Sequence, residues 1–193
     1  MSSIHDIIKA SIDVKIKLLN DPAQQQLLQD VADLCIRTFK ADGKVLFCGN
    51  GGSAADAQHI AAELSGRFYT DREPLYAEAL HVNSSYMTAV ANDYSFDVVY
   101  SRMIKACGRK GDVLVGISTS GNSKNIIAAL EEAKNAGMIT VGMTGEGGGK
   151  MRSLCDYLLQ SPSNDTPRIQ ETHILMGHII CQLIEEGLYP KES

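Results

Sequence analysis

The sequence predicts a doubly wound α/β fold: a five-stranded parallel sheet flanked by helices, with two more helices ahead of it. Three observations carry that prediction. Short apolar runs alternate with stretches of helical periodicity from residue 44 onward. The runs are apolar throughout, as strands covered on both faces must be. Two of them end in turns rich in glycine and serine, Gly49-Asn50-Gly51-Gly52-Ser53 and Ser118-Thr119-Ser120-Gly121-Asn122-Ser123, that lead into helical stretches. Ligands bind beyond the carboxyl ends of strands in such sheets.

The elements follow in order. Ile4, Ile7, Ile8, Ile12, Ile16 and Leu19 recur at helical spacing and predict a helix over 3–19. Asn20-Asp21-Pro22 ends it, with Pro22 placed to start the next. Leu27, Leu28, Val31, Leu34, Cys35 and Phe39 extend that second helix to about Ala41, and Asp42-Gly43 closes it. Strands are then expected at 44–48, 76–80, 112–117, 138–143 and 156–160. Helices are expected at 53–65, 84–91, 95–106, 122–135 and 166–187. Right-handed crossovers wind these into one α/β core over 42–193, behind a helical pair over 1–41. Gly145–Gly149 reads as a mobile loop. The apolar N-terminal pair either packs on the domain or forms an interface between subunits.

Bulk properties exclude several classes. The chain has 193 residues, enough for one domain with a sizeable core. Apolar residues make up 44% and charged residues 21%, which fits a globular protein rather than a disordered one. Net charge is −5 and no lysine- or arginine-rich block occurs, which argues against a nucleic-acid partner. No apolar run reaches membrane-spanning length, and Met1–Ala10 lacks the layout of a leader. Five scattered cysteines without a Cys-x-x-Cys pair read as buried thiols in a reducing compartment. A cytoplasmic protein without a membrane partner is expected.

The two turns are the natural seat of a phosphorylated small molecule. A helix N-terminus offers unpaired N–H groups and partial positive charge. Glycine admits the ligand close to the backbone, and hydroxyls add donors. Either turn alone could equally be an ordinary strand-to-helix junction with a serine cap. No GxxxxGK[ST] motif is present, and Ala54 breaks GxGxxG spacing, so no nucleotide cofactor is expected.

His59 and Glu63, four apart, share one face of the helix after the first turn. Such a pair could bind a metal, share proton transfer, or simply face solvent. Gln170 and His178 lie roughly on one side of the last helix, with His173 elsewhere on its circumference. Asn92-Asp93, before Tyr94 and Phe96, could end a helix or place a polar pair in the cleft. Arg67 and Arg168 could meet a phosphate, with a surface role as the default.

Taken together these segments resemble a known family. Cys48–His59 (CGNGGSAADAQH) with Glu63–Arg67 behind it resembles the sugar isomerase (SIS) fold, a flavodoxin-like arrangement. Asn92-Asp93, Gly116–Ser123 and Arg168–His173 with His178 resemble its phosphoheptose isomerase branch over nearly the whole chain. The resemblance implies substrate contacts at Asn50, Gly51, Gly52, Ser53, Glu63, Asn92, Asp93 and Gln170. It implies a phosphate cradle of Ser118, Thr119, Ser120 and Ser123. It implies a zinc site, one per subunit, of His59, Glu63, Gln170 and His178, with Glu63 and His178 as acid/base residues. It further implies a homotetramer and a product that enters the ADP-heptose route to lipopolysaccharide core. The implied reaction takes sedoheptulose 7-phosphate to D-glycero-D-manno-heptose 7-phosphate.

The residues suit that chemistry. Moving a proton between adjacent carbons through an enediol needs a base for the C–H proton and a partner for the two oxygens. A glutamate and a histidine can divide those roles, in either order. A zinc-bound glutamate is a weaker base, which sets the two roles of Glu63 in tension. The rival class is a non-catalytic adapter, since one tetrameric relative of this fold associates with the bacterial replication initiator. Retention of Glu63, Gln170 and His178 together favours the enzyme.

Overall fold

A computed structural model describes residues 3–190. Helix α1 (Ile4–Leu19) opens on a capping box: Asp6 N–H donates to Ser3 Oγ at 3.1 Å, and Ser3 N–H donates to the Asp6 carboxylate at 3.0 Å. Helix α2 (Pro22–Lys40) starts on its proline behind an Asp21 cap. The chain turns after it through Asp42, at φ 61°, so the left-handed residue is the aspartate rather than Gly43.

The sheet comprises β1 (Val45–Gly49), β2 (Ala77–Ala79), β3 (Val113–Ile117), β4 (Ile139–Thr144) and β5 (Tyr157–Gln160). All pairings are parallel, in the order β2-β1-β3-β4-β5. Intervening helices are α3 (Gly52–Ser65), α4 (Ser84–Asp93), α5 (Val99–Cys107), α6 (Lys124–Asn135) and α7 (Thr166–Leu188). The expected helix over 95–106 divides into a 3-10 turn at Phe96–Val98 and α5, and a second 3-10 turn occupies Gly149–Ser153.

Strand alternation splits the core into two layers. Val45, Phe47, Val113, Val115, Val141, Met143 and Leu159 face α2, α3 and α7, with α1 packed against α2 and α7. Leu46, Cys48, Leu114 and Leu158 face the layer of α4, α5 and α6. Every residue of β1 and β3 is buried, which explains their unbroken apolar runs. Each fully buried large side chain contributes about 1.5–3 kcal/mol.

Gly49 and Ile117 stand in register on neighbouring strands, so the two Ser/Gly turns leave the sheet side by side. The winding reverses between β1 and β3, and such a switch point opens a crevice at the carboxyl edge. All five cysteines are free thiols, with Cys35, Cys48 and Cys181 buried. Burial pushes the Cys35 and Cys181 thiols up to about 12.

Candidate active site

Helix starts differ in their capping. Helices α1, α2 and α4 carry side-chain caps from Ser3, Asp21 and Asn83. Helices α3, α6 and α7, which follow β1, β3 and β5, have no cap from the N-cap side chain, and neither has α5; α4, which follows β2, is capped by Asn83. In α3 the Ser53 and Ala54 N–H groups turn back to the Asn50 and Gly51 carbonyls, and in α6 the Ile126 N–H goes to Ser123 and Asn125.

In the first turn Gly51 has φ 56°, a conformation that favours glycine. Tyr100 Oη donates to the Gly49 carbonyl at 2.5 Å and pins the end of β1. A methyl group on Gly49 would strike the Ser53 backbone, and one on Gly52 would strike the Gln170 carboxamide. Gly52 is thus the point where turn and α7 meet. Ser53 is buried.

The second turn gathers hydroxyls. Ser118 Oγ lies 2.9 Å from Ser123 Oγ and 3.5 Å from Ser120 Oγ. Ser123 precedes α6, but its side chain turns to Ser118 instead of capping the helix. Gly145–Gly149 packs against this turn: Gly145 N–H donates to the Thr119 carbonyl, and Met151 N–H to the Gly121 carbonyl. The stretch expected to be mobile is therefore a backing wall. Thr119, Ser120, Gly145, Asn164 and Thr166 line a concavity between the turn and the start of α7.

The third component comes from two helices. Ala57, Ile60, Ala61 and Leu64 bury one stripe of α3, and Asp56, His59 and Glu63 form another. His178 reaches this second stripe from α7. His59 Nε2 lies 3.0 Å from His178 Nε2 and 3.2 Å from the Glu63 carboxylate. One ligand atom from each of the three falls within 4.8 Å of the others. Gly177 explains the approach: a methyl group there would collide with the end of Ile60, so bare glycine lets α3 and α7 close together beside His59 and His178. Phe68 packs on His178, ring centroids 5.8 Å apart. Burial pushes the Asp56 carboxyl up to about 6, against the opposing pull of His59.

A buried ion pair fixes the far end of the helix pair. Arg72 Nη2 donates to the Glu63 carbonyl and Nη1 to the Leu64 carbonyl, both at 2.9 Å, capping the C-terminus of α3. Its Nε donates to Glu185 on α7 at 3.1 Å, and Glu185 also accepts from the N–H groups of Tyr69 and Thr70.

Other singled-out residues fall elsewhere. Asn92 and Asp93 end α4, the helix-terminus alternative, and extend it two residues beyond the expected 84–91; both are exposed, and Asn92 Nδ2 donates to Asp93 at 2.9 Å. No hydrogen bond among the described residues ties them to the rest of the site. Arg168 is structural: it donates to the Ile7 carbonyl and pairs with Glu171, joining α1 to α7. His173 is fully buried and donates from Nε2 to the Thr144 carbonyl at 3.0 Å. Sequence reasoning missed Arg72, Glu185, Gly177 and Asn125, all of which act through pairings between distant segments. A glycine inside the apolar pattern of α7 was the one available signal.

The donor set suits a zinc ion. Ligand atoms of a tetrahedral zinc site are separated by about 3.3 Å, given bonds of roughly 2.0–2.1 Å. The spacings around His59 match that figure, and two imidazoles with a carboxylate are ordinary zinc donors.

The switch-point crevice, hydroxyl cradle and imidazole–carboxylate cluster define a SIS-domain protein, and a SIS domain model matches residues 15–145. The chain is 49% identical over 182 residues to a phosphoheptose isomerase of Clostridium acetobutylicum, covering 94% of this chain and 93% of that one. It is 52% identical to a phosphoheptose isomerase of Aneurinibacillus thermoaerophilus, covering 94% and 92%. A solved phosphoheptose isomerase from Neisseria gonorrhoeae superposes with a TM-score of 0.89 at 43% identity, over 95% and 97% of the two chains. The chain belongs to the phosphoheptose isomerase family.

Proposed function

We propose that the protein converts sedoheptulose 7-phosphate to D-glycero-D-manno-heptose 7-phosphate. The observation that carries this is the meeting of Glu63 and His178 beside His59, within reach of one ligand, in a chain about half identical to named phosphoheptose isomerases. The adapter reading draws no support from these relatives.

The phosphate sits on Ser118, Thr119, Ser120 and Ser123, where hydroxyls and the uncapped start of α6 meet its charge. This remote binding energy holds the reacting carbons in place. Asn50, Gly51, Gly52 and Ser53 line the sugar from the first turn, with Gln170 across Gly52 and Asn92 and Asp93 as further contacts. Glu63 takes the proton from C1 while His178 delivers one to the C2 carbonyl oxygen, giving the enediol. Return of the carbon-bound proton to C2, with loss of the O1 proton, completes the aldose; atoms and electrons balance without an external oxidant or reductant. The converse assignment of base and acid satisfies the same balance.

His59, Glu63, Gln170 and His178 would hold a zinc ion, which when bound supplies Lewis-acid polarisation of the carbonyl and hydroxyl oxygens. The assembly we propose is a homotetramer. Its support is the apolar face of α1, where Ile4 is 78%, Ile8 55% and Leu19 70% exposed. No helix among the described residues is long and apolar enough to cross a membrane. A cytoplasmic enzyme at the head of ADP-heptose supply for lipopolysaccharide core fits this reading.

A coupled assay with sedoheptulose 7-phosphate, run with and without chelator, tests it. Aldose formation that chelator abolishes and zinc restores supports both reaction and metal. Activity indifferent to exhaustive chelation removes the metal. No aldose from well-folded wild-type protein overturns the assignment.

A further inference from the structure

Asn125, the second residue of α6, is 3% exposed. It forms a reciprocal pair with Asn50 of the first turn. Asn50 Nδ2 donates to Asn125 Oδ1 at 2.9 Å, and Asn125 Nδ2 donates to Asn50 Oδ1 at 2.8 Å. This pair joins the phosphate turn's helix to the sugar turn across the switch point.

The pair also has a defined orientation. Carboxamide oxygen and nitrogen can exchange places in a structure unless a neighbour distinguishes them. Here one does: Ile126 N–H, which can only donate, points at Asn125 Oδ1 at 3.0 Å. The Asn125 oxygen must therefore face Ile126 and Asn50. Asn50 must then answer with its NH2, and its own oxygen is engaged by Asn125. What Asn50 keeps for a ligand is one N–H and the second lone pair of its Oδ1, both held in fixed places.

We propose that Asn125 is a positioning residue: it locks the Asn50 carboxamide in one orientation, so that its free N–H meets the substrate in register with a phosphate seated on α6. The matching ligand atom is an acceptor oxygen on the sugar. The proposal rests on the reading that Asn50 contacts substrate and Ser118–Ser123 the phosphate. Asn125 acts through Asn50, the one residue outside its own helix to which its buried carboxamide hydrogen-bonds among the described residues.

The test is a double-variant cycle on the full chain. Wild type, Asn125→Ala, Asn50→Ala and the double variant are compared for kcat and KM on sedoheptulose 7-phosphate. Inhibition by inorganic phosphate and Tm are measured alongside. Asn125→Ala is expected to lower kcat/KM about tenfold, the scale of one lost hydrogen bond to the reacting substrate. Phosphate inhibition should stay within about twofold, because the cradle is untouched. In the Asn50→Ala background the second substitution should cost nothing further. Asn125→Asp, which keeps the acceptor for Asn50 and Ile126 but loses the donor, serves where Asn125→Ala folds poorly; it should give a smaller loss in kcat/KM. Wild-type-like kcat/KM in folded Asn125 variants, or losses that simply multiply in the double variant, would overturn the assignment. Inactive wild-type protein would instead strike the functional reading on which it rests.

Discussion

The hydroxyl cradle at Ser118–Ser123 and the cluster at His59, Glu63 and His178 are built in opposite ways. The cradle is local: three serines within six residues fold back on one another, and the backbone of Gly145–Met151 supports them. The cluster is assembled from α3 and α7, with His59 and His178 separated by 119 residues. Its spacing depends on Gly177 admitting Ile60 and on Arg72 joining the end of α3 to Glu185. A local cradle tolerates change outside itself. A cluster held between helices inherits every shift in their packing, so reactivity should be more sensitive to remote substitution than phosphate binding.

The largest test of that contrast is Gly177→Ala. The added methyl overpacks against Ile60, a change that costs about 1–3 kcal/mol in a well-packed core. The displaced His178 should lower kcat at least about tenfold, equivalent to roughly 1.4 kcal/mol of barrier. KM should move less, because the cradle lies elsewhere. A variant with lowered Tm but normal kcat would show that the cluster does not depend on this contact.

Ser120→Ala probes the other side. Removing one donor to a phosphate should raise KM about tenfold, from a charge-assisted bond of roughly 1.5–3 kcal/mol, and change kcat by less than about twofold. Asn122 N–H, which loses Ser120 Oγ as acceptor, is exposed and can turn to water. A fall in kcat with unchanged KM would make the cradle part of the chemistry and erase the contrast.

The smallest effect sits where the two regions share a support. His173 on α7 holds the Thr144 carbonyl, and the next residue, Gly145, backs the second turn. Burial lowers the His173 imidazole to about 4, while its Nε2–H bond to Thr144 works the other way. The unfolded chain therefore takes up this proton first as pH falls, so the stability contribution is full above about 6.5 and is lost towards pH 4. Urea unfolding of wild type and His173→Gln from pH 7 to pH 4 should show the wild-type curve falling more steeply. Parallel curves would remove His173 from the acid response.

The same division explains what the sequence disclosed. Every strand and helix expected from residue 44 onward exists within a few residues, because unbroken apolar runs and 3.6-residue periods are local signals. His59 and Glu63 were legible as one helical face for the same reason. The second turn announced its hydroxyls directly. Gly177 and Asn125 are not singled out by any motif or period in the sequence. Neither the contact with Ile60 nor the pairing with Asn50 leaves a periodic trace. Arg72 and Glu185 were silent because their partners are backbone groups and each other, across 113 residues. The 3-10 turn at Gly149–Ser153 hid behind a glycine run that resembles a free loop.

Deuterium exchange at the substrate carbon tests the central claim most directly. Wild-type protein incubated with sedoheptulose 7-phosphate in heavy water should place solvent deuterium at C1, followed by NMR, as the enediol forms and reverts. Glu63→Gln, with an unchanged Tm, should show neither that exchange nor aldose formation. Exchange at the wild-type rate in this variant would mean that some other group takes the proton, and the account of the α3–α7 cluster would fail.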